Sequence, residues 1–276
     1  MNVIEKKCGF VSITGLPNAG KSTLINNLVN EKVSIISHKV QTTQNAIRGV
    51  FTKSHSQIIF TDTPGLILPS TFFKKQLSRA IFNNTYESDI NLVVFDPNRK
   101  ISEKEKEILK KLIRTSKNNF LIINKIDLVK KTELLKISKK YNHLFDFQKT
   151  FMISALKKKG LNELIELIIS KLPKNKWLYD KKDKTDQKNE FIFSEITREK
   201  VFQLINKEIP YDITITTEIN PNKITQFIFV KKASQKPILI GKEGKKIKEI
   251  GMRARRDIQK KINRRIYLEL KVKISK

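Results

Sequence analysis

The chain has 276 residues, of which 39% are hydrophobic and 30% charged, enough for one or two domains with a substantial core. Its formal net charge is +29, from 56 Lys and Arg against 27 Asp and Glu, which favours polyanionic partners, nucleic acid first and an anionic lipid surface second. The chain has no apolar run near the ~20 residues of a membrane span, no signal-peptide pattern, no disulfide framework from its one cysteine, and no metal-ligand spacing among its three histidines.

Residues 1–172 alternate short apolar runs with helix-like segments. The predicted strands are 10–14, 47–51, 57–61, 91–96, 120–124 and 151–154. Helices are predicted to begin near Ser22, Phe73, Ser102 and Gly160, with Ser102 and Glu105 forming a capping box. Alternating strands and helices predict βαβ units, an α/β fold with a mostly parallel sheet, and ligands at the carboxyl ends of the strands.

A phosphate-binding pattern, G-x-x-x-x-G-K-[ST], follows the first predicted strand and opens a helix. Its residues are Gly15, Leu16, Pro17, Asn18, Ala19, Gly20, Lys21 and Ser22, with Thr23 next in the helix. Successive backbone N–H groups of such a loop curl around an anion at the positive end of the helix. Lys21 is predicted to neutralise the β- and γ-phosphates and the Ser22 hydroxyl to ligate Mg²⁺, so the sequence predicts a nucleoside triphosphate site.

A second element of this site follows the third strand. Its residues are Asp62, Thr63, Pro64, Gly65 and Leu66. Asp62, at the end of a buried strand, is predicted to hold Mg²⁺ through water. The Gly65 N–H is predicted to sense the γ-phosphate.

The choice of base depends on the next two strand ends. They carry Asn124, Lys125, Ile126 and Asp127, then Ser154 and Ala155. A carboxylate at Asp127 accepts two hydrogen bonds that guanine supplies and adenine does not, and unpaired buried acceptors discriminate strongly. The Lys125 stem is predicted to pack on the base and the Ala155 N–H to reach guanine O6. Together these elements predict a guanine-nucleotide site for GTP or GDP.

A polar, Lys/Asp-rich stretch, 173–190, is predicted to be a linker, with Trp177 its only large anchor. After it, an amphipathic helix is predicted over 191–208 and ended by Pro210. Strands are predicted over 212–219, 223–230 and 265–274, with a helix over 245–262 before the last strand.

A Gly-x-x-Gly turn, 241–244, opens that last helix, and such a turn lets the backbone approach four nucleotides closely. The residues predicted to bind RNA are Gly241, Lys242, Gly244, Lys245, Lys248 and Arg253. The core stripe is predicted to contain Ile247, Ile250, Ala254, Ile258 and Ile262. From position 231 onward, 17 Lys and Arg oppose four acidic residues, which favours RNA binding over a merely solvated face.

The whole succession resembles the Era family, bacterial GTPases with a C-terminal KH domain that assist ribosome assembly. The motifs that carry the resemblance are 15–22, 41–43, 62–65, 124–127, 154–156, 185–186, 194–200, 209–211 and 240–251. The resemblance implies a P-loop GTPase domain over 1–172 and a smaller α+β type II KH domain over 191–276.

The resemblance also implies an activity and partners. These are GTP hydrolysis and binding of the 3′ end of 16S rRNA during assembly of the 30S ribosomal subunit. It further implies a monomer in the cytoplasm, with peripheral association with the inner face of the membrane. By position, Thr43, rather than Thr42, is the switch threonine that ligates Mg²⁺.

Several positions depart from the family pattern. Gln44 and Val40 stand where the family commonly has Arg and Pro, and Glu243 adds an acid to the RNA-clamping turn. Leu66 cannot orient water as a glutamine does, so slow intrinsic turnover is predicted. Asn18 either helps to coordinate a monovalent cation such as K⁺ or stabilises its own loop.

Two other functions compete with this interpretation. A scaffold that binds RNA or a membrane surface, with slow or vestigial GTPase activity, is disfavoured by the intact Lys21, Ser22, Asp62, Asn124 and Asp127. A GTPase that partners a tRNA-modifying enzyme would need a further substrate-binding domain, for which 276 residues leave no room.

Overall fold

The computed structural model describes residues 5–35, 47–63, 65–66, 72–205 and 213–275, with the backbone alone for 72–78. The chain forms two compact units. The first extends to Asp186 and the second begins at Gln187. Each unit has its own sheet and its own core.

The first unit is built on a six-stranded sheet. Its strands are β1 (Lys7–Gly15), β2 (Ile47–Lys53), β3 (Ser56–Asp62), β4 (Ile90–Phe95), β5 (Asn119–Ile123) and β6 (Lys149–Met152). The spatial order is β2-β3-β1-β4-β5-β6; β2 pairs antiparallel with β3, and every other pair is parallel. The predicted α/β fold with a mostly parallel sheet is confirmed. The sixth strand ends earlier than predicted, so Ser154 lies in the loop beyond it.

Helices cover both faces of this sheet. They are α1 (Lys21–Val29), α2 (Phe72–Tyr86), α3 (Glu103–Thr115), α4 (Lys131–Leu144) and α5 (Leu161–Lys171). Buried residues of α1 and α5 pack against one set of strand residues, and buried residues of α2, α3 and α4 pack against the other set. Alternate strand residues therefore enter two different cores, as expected for a doubly wound sheet. The predicted capping box is present, with the Glu105 N–H donating to Ser102 Oγ at 3.3 Å.

Residues 173–186, which we call the strap, lie along the first unit rather than forming a separate linker. The buried Gln57 accepts a hydrogen bond from the Leu178 N–H at 2.9 Å. Farther along, the Val50 N–H donates to the Lys184 carbonyl at 2.8 Å. These main-chain hydrogen bonds hold the strap against the first unit.

The second unit has the order α-β-β-α-α-β. Its elements are α6 (Asn189–Leu204), β7 (Thr214–Ile219), β8 (Lys223–Val230), α7 (Gln235–Ile240), α8 (Lys245–Ile262) and β9 (Tyr267–Ile274). β7 and β8 pair antiparallel, whereas β8 and β9 pair parallel. The predicted helices and strands occur in the predicted order, and the short helix α7, which was not predicted, precedes the Gly-x-x-Gly turn. Within the described ranges, no helix is both long and apolar enough to cross a bilayer.

Helix α6 differs from the prediction of an amphipathic helix over 191–208. It ends at Leu204, and Pro210 falls outside the described residues. Charged residues are buried along it because they pair: Arg198 binds both carboxylate oxygens of Glu195, at 2.7 and 2.9 Å. Such pairing offsets part of the desolvation cost of burying charge.

Candidate nucleotide-binding and RNA-binding sites

The loop between β1 and α1 is shaped by residues in the left-handed region. Gly20 has φ +94°, and a Cβ there would lie 2.3 Å from Asn124 Nδ2, so only glycine fits. Asn18 has φ +62°, a conformation that asparagine tolerates better than most residues. The strained backbone bends the loop into a concave turn at the N-terminus of α1, where an anion is stabilised.

The predicted phosphate lysine is folded back onto this loop. Lys21 is buried, and its Nζ donates to the carbonyls of Gly15 and Leu16 at 3.1 and 3.0 Å. Burial lowers the pKa of Lys21 to about 8, although the nearby Asp62 carboxylate opposes the shift. The ammonium group lies at the position from which it can turn towards a phosphate.

Oxygen donors suitable for Mg²⁺ meet at the end of β3. Ser22 Oγ donates to Asp62 Oδ2 at 2.9 Å, and Ser34 Oγ donates to the same oxygen at 2.7 Å. Hydroxyl and carboxylate oxygens are the ligands that Mg²⁺ prefers, usually with water and phosphate oxygens added. Ser22 and Asp62 therefore fit the predicted metal site. Thr43, the third predicted ligand, lies outside the described residues.

The chain after Asp62 returns along the phosphate loop. Thr63 Oγ1 donates to the Ile13 carbonyl at 2.8 Å, and the Leu66 N–H donates to the Gly15 carbonyl at 3.0 Å. The Leu66 side chain is 2% exposed and belongs to the core. It therefore cannot hold a water molecule in position. Pro64 lies outside the described residues.

Gly65 lies close against the phosphate loop. A Cβ at Gly65 would lie 3.1 Å from Pro17 Cα, closer than most real side-chain contacts. The absence of a side chain therefore permits this approach of two backbones.

Asn124 joins the two nucleotide loops. Its Nδ2 donates to the Ala19 carbonyl and its Oδ1 accepts from the Ala155 N–H, both at 2.9 Å. The prediction that the Ala155 N–H points to guanine O6 differs from this geometry, because that N–H is committed to Asn124. The Asn124 amide thus uses both its donor and its acceptor within the protein. Motif spacing in the sequence did not predict these two contacts.

Lys125 lies across the phosphate loop in a left-handed conformation, φ +60°. Its Nζ donates to the Asn18 carbonyl at 2.8 Å and to Asp96 Oδ2 at 2.7 Å. These contacts fix the stem that is predicted to pack on the base. Sequence reasoning missed Asp96, although its place directly after the buried strand β4 was an available signal.

Asp127 is exposed, beside the partly buried Ile126 at the mouth of the predicted base site. A hydrogen bond from the Ser154 side chain lowers the pKa of Asp127 below its ordinary value, helped by Lys157 and Lys159. The carboxylate is thus held ionised, as an acceptor of two hydrogen bonds requires.

In the second unit, the predicted turn joins α7 to α8. Gly241 has φ +75°, and a Cβ there would lie 2.6 Å from the Lys246 Cβ, so the turn itself needs this glycine. Gly244 has φ +71° but has no atom within 4 Å of a built Cβ. The turn is therefore open on the side of Gly244, where a backbone can approach.

The predicted RNA-binding cations lie outside the buried stripe of α8. Ile250, Ala254 and Ile258 are buried as predicted, whereas the cations Lys242, Lys245, Lys248 and Arg253 are exposed. Two of these cations have acidic neighbours. Lys245 Nζ lies 2.9 Å from Glu243 Oε2, and Arg253 Nη2 lies 2.5 Å from Glu249 Oε1. Acidic partners therefore offset part of the positive charge near the turn.

Both halves of the chain match known families. Residues 10–125 match the family described as "50S ribosome-binding GTPase", and residues 191–276 match "KH domain". GTPase Era of Syntrophus aciditrophicus is 39% identical over 98% of this chain and 90% of the relative. GTPase Era of Carboxydothermus hydrogenoformans is 39% identical over 97% of this chain and 92% of the relative.

Two solved structures match the chain over both units. One is Era in complex with MgGDPNP and nucleotides 1506–1542 of 16S ribosomal RNA, 34% identical, with a TM-score of 0.92 over 98% of this chain and 94% of that chain. The other is a variant of Aquifex aeolicus Era bound to GDP and AlF4⁻, 35% identical, with a TM-score of 0.91 and the same coverage. This chain therefore belongs to the Era family of GTPases.

Proposed function

We propose that this protein hydrolyses GTP and binds the 3′ end of 16S rRNA, and so assists assembly of the 30S ribosomal subunit. One observation carries the proposal: a nucleotide cradle and a Gly-x-x-Gly turn opening a basic helix occur on one chain. A relative with 34% identity binds both a GTP analogue and nucleotides 1506–1542 of 16S rRNA.

In this proposal the phosphates are held by the amides of the loop between Gly15 and Gly20. Lys21 exchanges its contacts with the Gly15 and Leu16 carbonyls for the β- and γ-phosphates. Ser22 and Asp62, with Thr43, would hold Mg²⁺, and Thr23 would complete the cradle. A bound Mg²⁺ would supply charge neutralisation of the phosphates and polarisation of the bond that breaks.

The base is recognised from the opposite side of the loop. Asp127 accepts from the N1–H and exocyclic amine of guanine, and Ser154 keeps this carboxylate ionised. Lys125, fixed by Asn18 and Asp96, supplies an apolar stem for one face of the base. Asn124 acts as a positioning residue, because its amide is bonded to both loops.

Intrinsic hydrolysis is slow in this proposal because the Leu66 side chain is buried in the core. Asn18 is proposed to help hold K⁺ beside the β- and γ-phosphates. The parent protein should then hydrolyse GTP faster in K⁺ than in Na⁺ at equal ionic strength. Asn18→Gly keeps a residue suited to the positive φ and should abolish the difference. Equal rates in both salts for the parent, with and without RNA, would leave Asn18 a structural residue.

RNA binding is proposed at the turn and the start of α8. Gly241 and Gly244 admit the backbone of a single strand, and Lys242, Lys245, Lys248 and Arg253 contact its phosphates. Ile238, 47% exposed, and Met252, 51% exposed, offer apolar surface near the turn for unstacked bases.

Crosslinking in cells followed by sequencing tests the identity of the RNA. Reads should concentrate at the 3′ end of 16S rRNA for the parent protein. Gly244→Asp adds charge where there is open space, so it should abolish crosslinking while GDP binding survives. Glu107→Gln, on the exposed face of α3, is a control that should crosslink as the parent does. Reads spread over unrelated RNAs would contradict the proposal.

A cytoplasmic monomer that associates reversibly with the inner face of the membrane completes the proposal. The net charge of +29 supports attraction to anionic lipid as well as to RNA. Flotation with vesicles of phosphatidylglycerol, compared with phosphatidylcholine, tests the lipid contact. Sedimentation equilibrium tests the monomeric state.

A further inference from the structure

A basic concavity lies at the opposite end of α8 from the Gly-x-x-Gly turn. Its volume is about 810 Å³. The lining, which we call the basic pocket, consists of Arg255, Arg256, Gln259, Lys260, Asn263, Arg264, Arg265 and Ile266. Five of these eight residues are cationic and none is acidic.

The shape of the basic pocket follows from the end of the helix. α8 ends at Ile262, and Asn263 reverses the chain with φ +50°. The reversal brings Arg264 and Arg265 opposite the cations on the last turns of α8. Ile266 is buried and anchors the segment, while the five cationic residues are exposed.

The basic pocket is separate from the four-nucleotide clamp. A helix of 18 residues spans about 27 Å at 1.5 Å per residue, and the turn lies at its other end. A Gly-x-x-Gly turn contacts about four nucleotides, so an RNA confined to the turn does not reach the pocket.

Asp257 lies beside the basic pocket, but its shorter ion pair is with Lys200, which does not line the pocket. Asp257 Oδ2 lies 2.5 Å from Lys200 Nζ, whereas its other oxygen is 3.8 Å from Arg256 Nε. A carboxylate that is shared in this way offsets only a small part of the charge of five cations in one concavity. Their mutual repulsion is relieved when an anion enters.

We propose that the basic pocket binds RNA phosphates beyond the four nucleotides held at the turn. This inference rests on the proposed RNA-binding function and extends it. Arginine presents a planar fork that binds phosphate through two hydrogen bonds, and four of the five cations here are arginines. Gln259 and Asn263 add neutral donors and acceptors suited to the 2′-hydroxyl.

The test compares a short RNA with a long one. The long RNA is the segment 1506–1542 of 16S rRNA, and the short RNA is the hexanucleotide at the 3′ end of that segment. The parent protein should bind the long RNA more tightly than the short one. The double variant Arg264→Ala/Arg265→Ala should lose about tenfold in affinity for the long RNA, with a salt slope shallower by about 0.7 per lost phosphate contact. Its affinity for the hexanucleotide should be unchanged.

A matched control removes the same charge elsewhere. Lys139→Ala/Lys140→Ala, on the exposed face of α4, should bind both RNAs like the parent. A parent that binds neither RNA would contradict the proposed function itself. A parent that binds RNA while the arginine variant matches it on the long RNA would overturn the inference. Loss of binding to phosphatidylglycerol vesicles with RNA binding intact would assign the pocket to lipid and overturn it too.

Discussion

Asn124 and Ala19, 105 residues apart in the chain, are joined by a hydrogen bond of 2.9 Å from the Asn124 side chain to the Ala19 carbonyl. The same amide accepts from the Ala155 N–H on its other side. The Asn124 side chain therefore links the phosphate loop to the loop that contains Ala155. Lys125, whose Nζ donates to the Asn18 carbonyl, adds a second link to the phosphate loop.

Asn124→Ala should weaken both the fold and the nucleotide site. The buried Ala19 carbonyl and Ala155 N–H lose their partner, which costs about 1–3 kcal/mol for each unsatisfied group. GDP affinity should fall by at least about tenfold, since the amides must then be ordered on binding. Urea unfolding and calorimetric titration measure the two effects. Asn142→Ala, at an exposed position, should leave GDP affinity unchanged; parental GDP binding by Asn124→Ala would refute the positioning role.

Asp127→Asn should change the base that is preferred. The carboxylate that accepts from guanine becomes an amide, whose N–H complements the additional carbonyl of xanthine. GDP affinity should fall by about 10²-fold or more, because a site built around hydrogen bonds rejects a mismatched partner strongly. XDP affinity should rise. Competition between GDP and XDP measures both, and parental GDP affinity in the variant would show that Asp127 does not contact the base.

The preference for GDP over IDP should be independent of pH from 8 down to about 4.5. IDP lacks the exocyclic amine, so this preference reports on ionised Asp127. The Ser154 hydrogen bond lowers the pKa of Asp127, so the carboxylate stays ionised and the preference is lost only as pH falls through that lowered value. In Ser154→Ala the pKa should rise and the preference should fade at higher pH. Taking the ratio of the two affinities cancels titration of the phosphates, and a tenfold fall between pH 6 and 5 in the parent would contradict the assignment.

Glu243→Gln should strengthen RNA binding. Glu243 pairs with Lys245 at 2.9 Å, and both side chains are largely exposed, so the pair adds little stability. Removing the acid frees Lys245 for phosphate, which should raise affinity several-fold and steepen the log–log salt slope by about 0.7. RNA titrations at several salt concentrations measure this. Glu107→Gln should have no effect, and unchanged binding by Glu243→Gln would place the phosphates away from Lys245.

The sheet could be predicted from the sequence because its strands are short apolar runs, and four of the six are followed by a motif. The run before Gly15 and the run before Asp62 are apolar and short, and parallel strands bring such ends to one edge. Helix α4 was missed for a physical reason. Its start lacks a capping side chain, since the residue before it is Lys130, and only Leu134 and Tyr141 are buried along it. The signal for the start of α4 and its stripe of buried residues were therefore both too weak to predict the helix.

The remaining gaps concern contacts between distant parts of the chain. Lys125 and Asp96 are 29 residues apart, and their pairing depends on the order of strands in the sheet. Spacing rules describe one element at a time, and this contact joins two.

The strap covers what would otherwise be an open sheet edge. β2 is the outermost strand, and Thr185 Oγ1 donates to the Arg48 carbonyl on its free side at 2.7 Å. Exposed edges of this kind invite pairing with other chains, and a covering segment prevents it. A fragment of the first unit that stops at Leu172 would leave β2 bare and should aggregate. A fragment that continues to Asp186 should stay monodisperse.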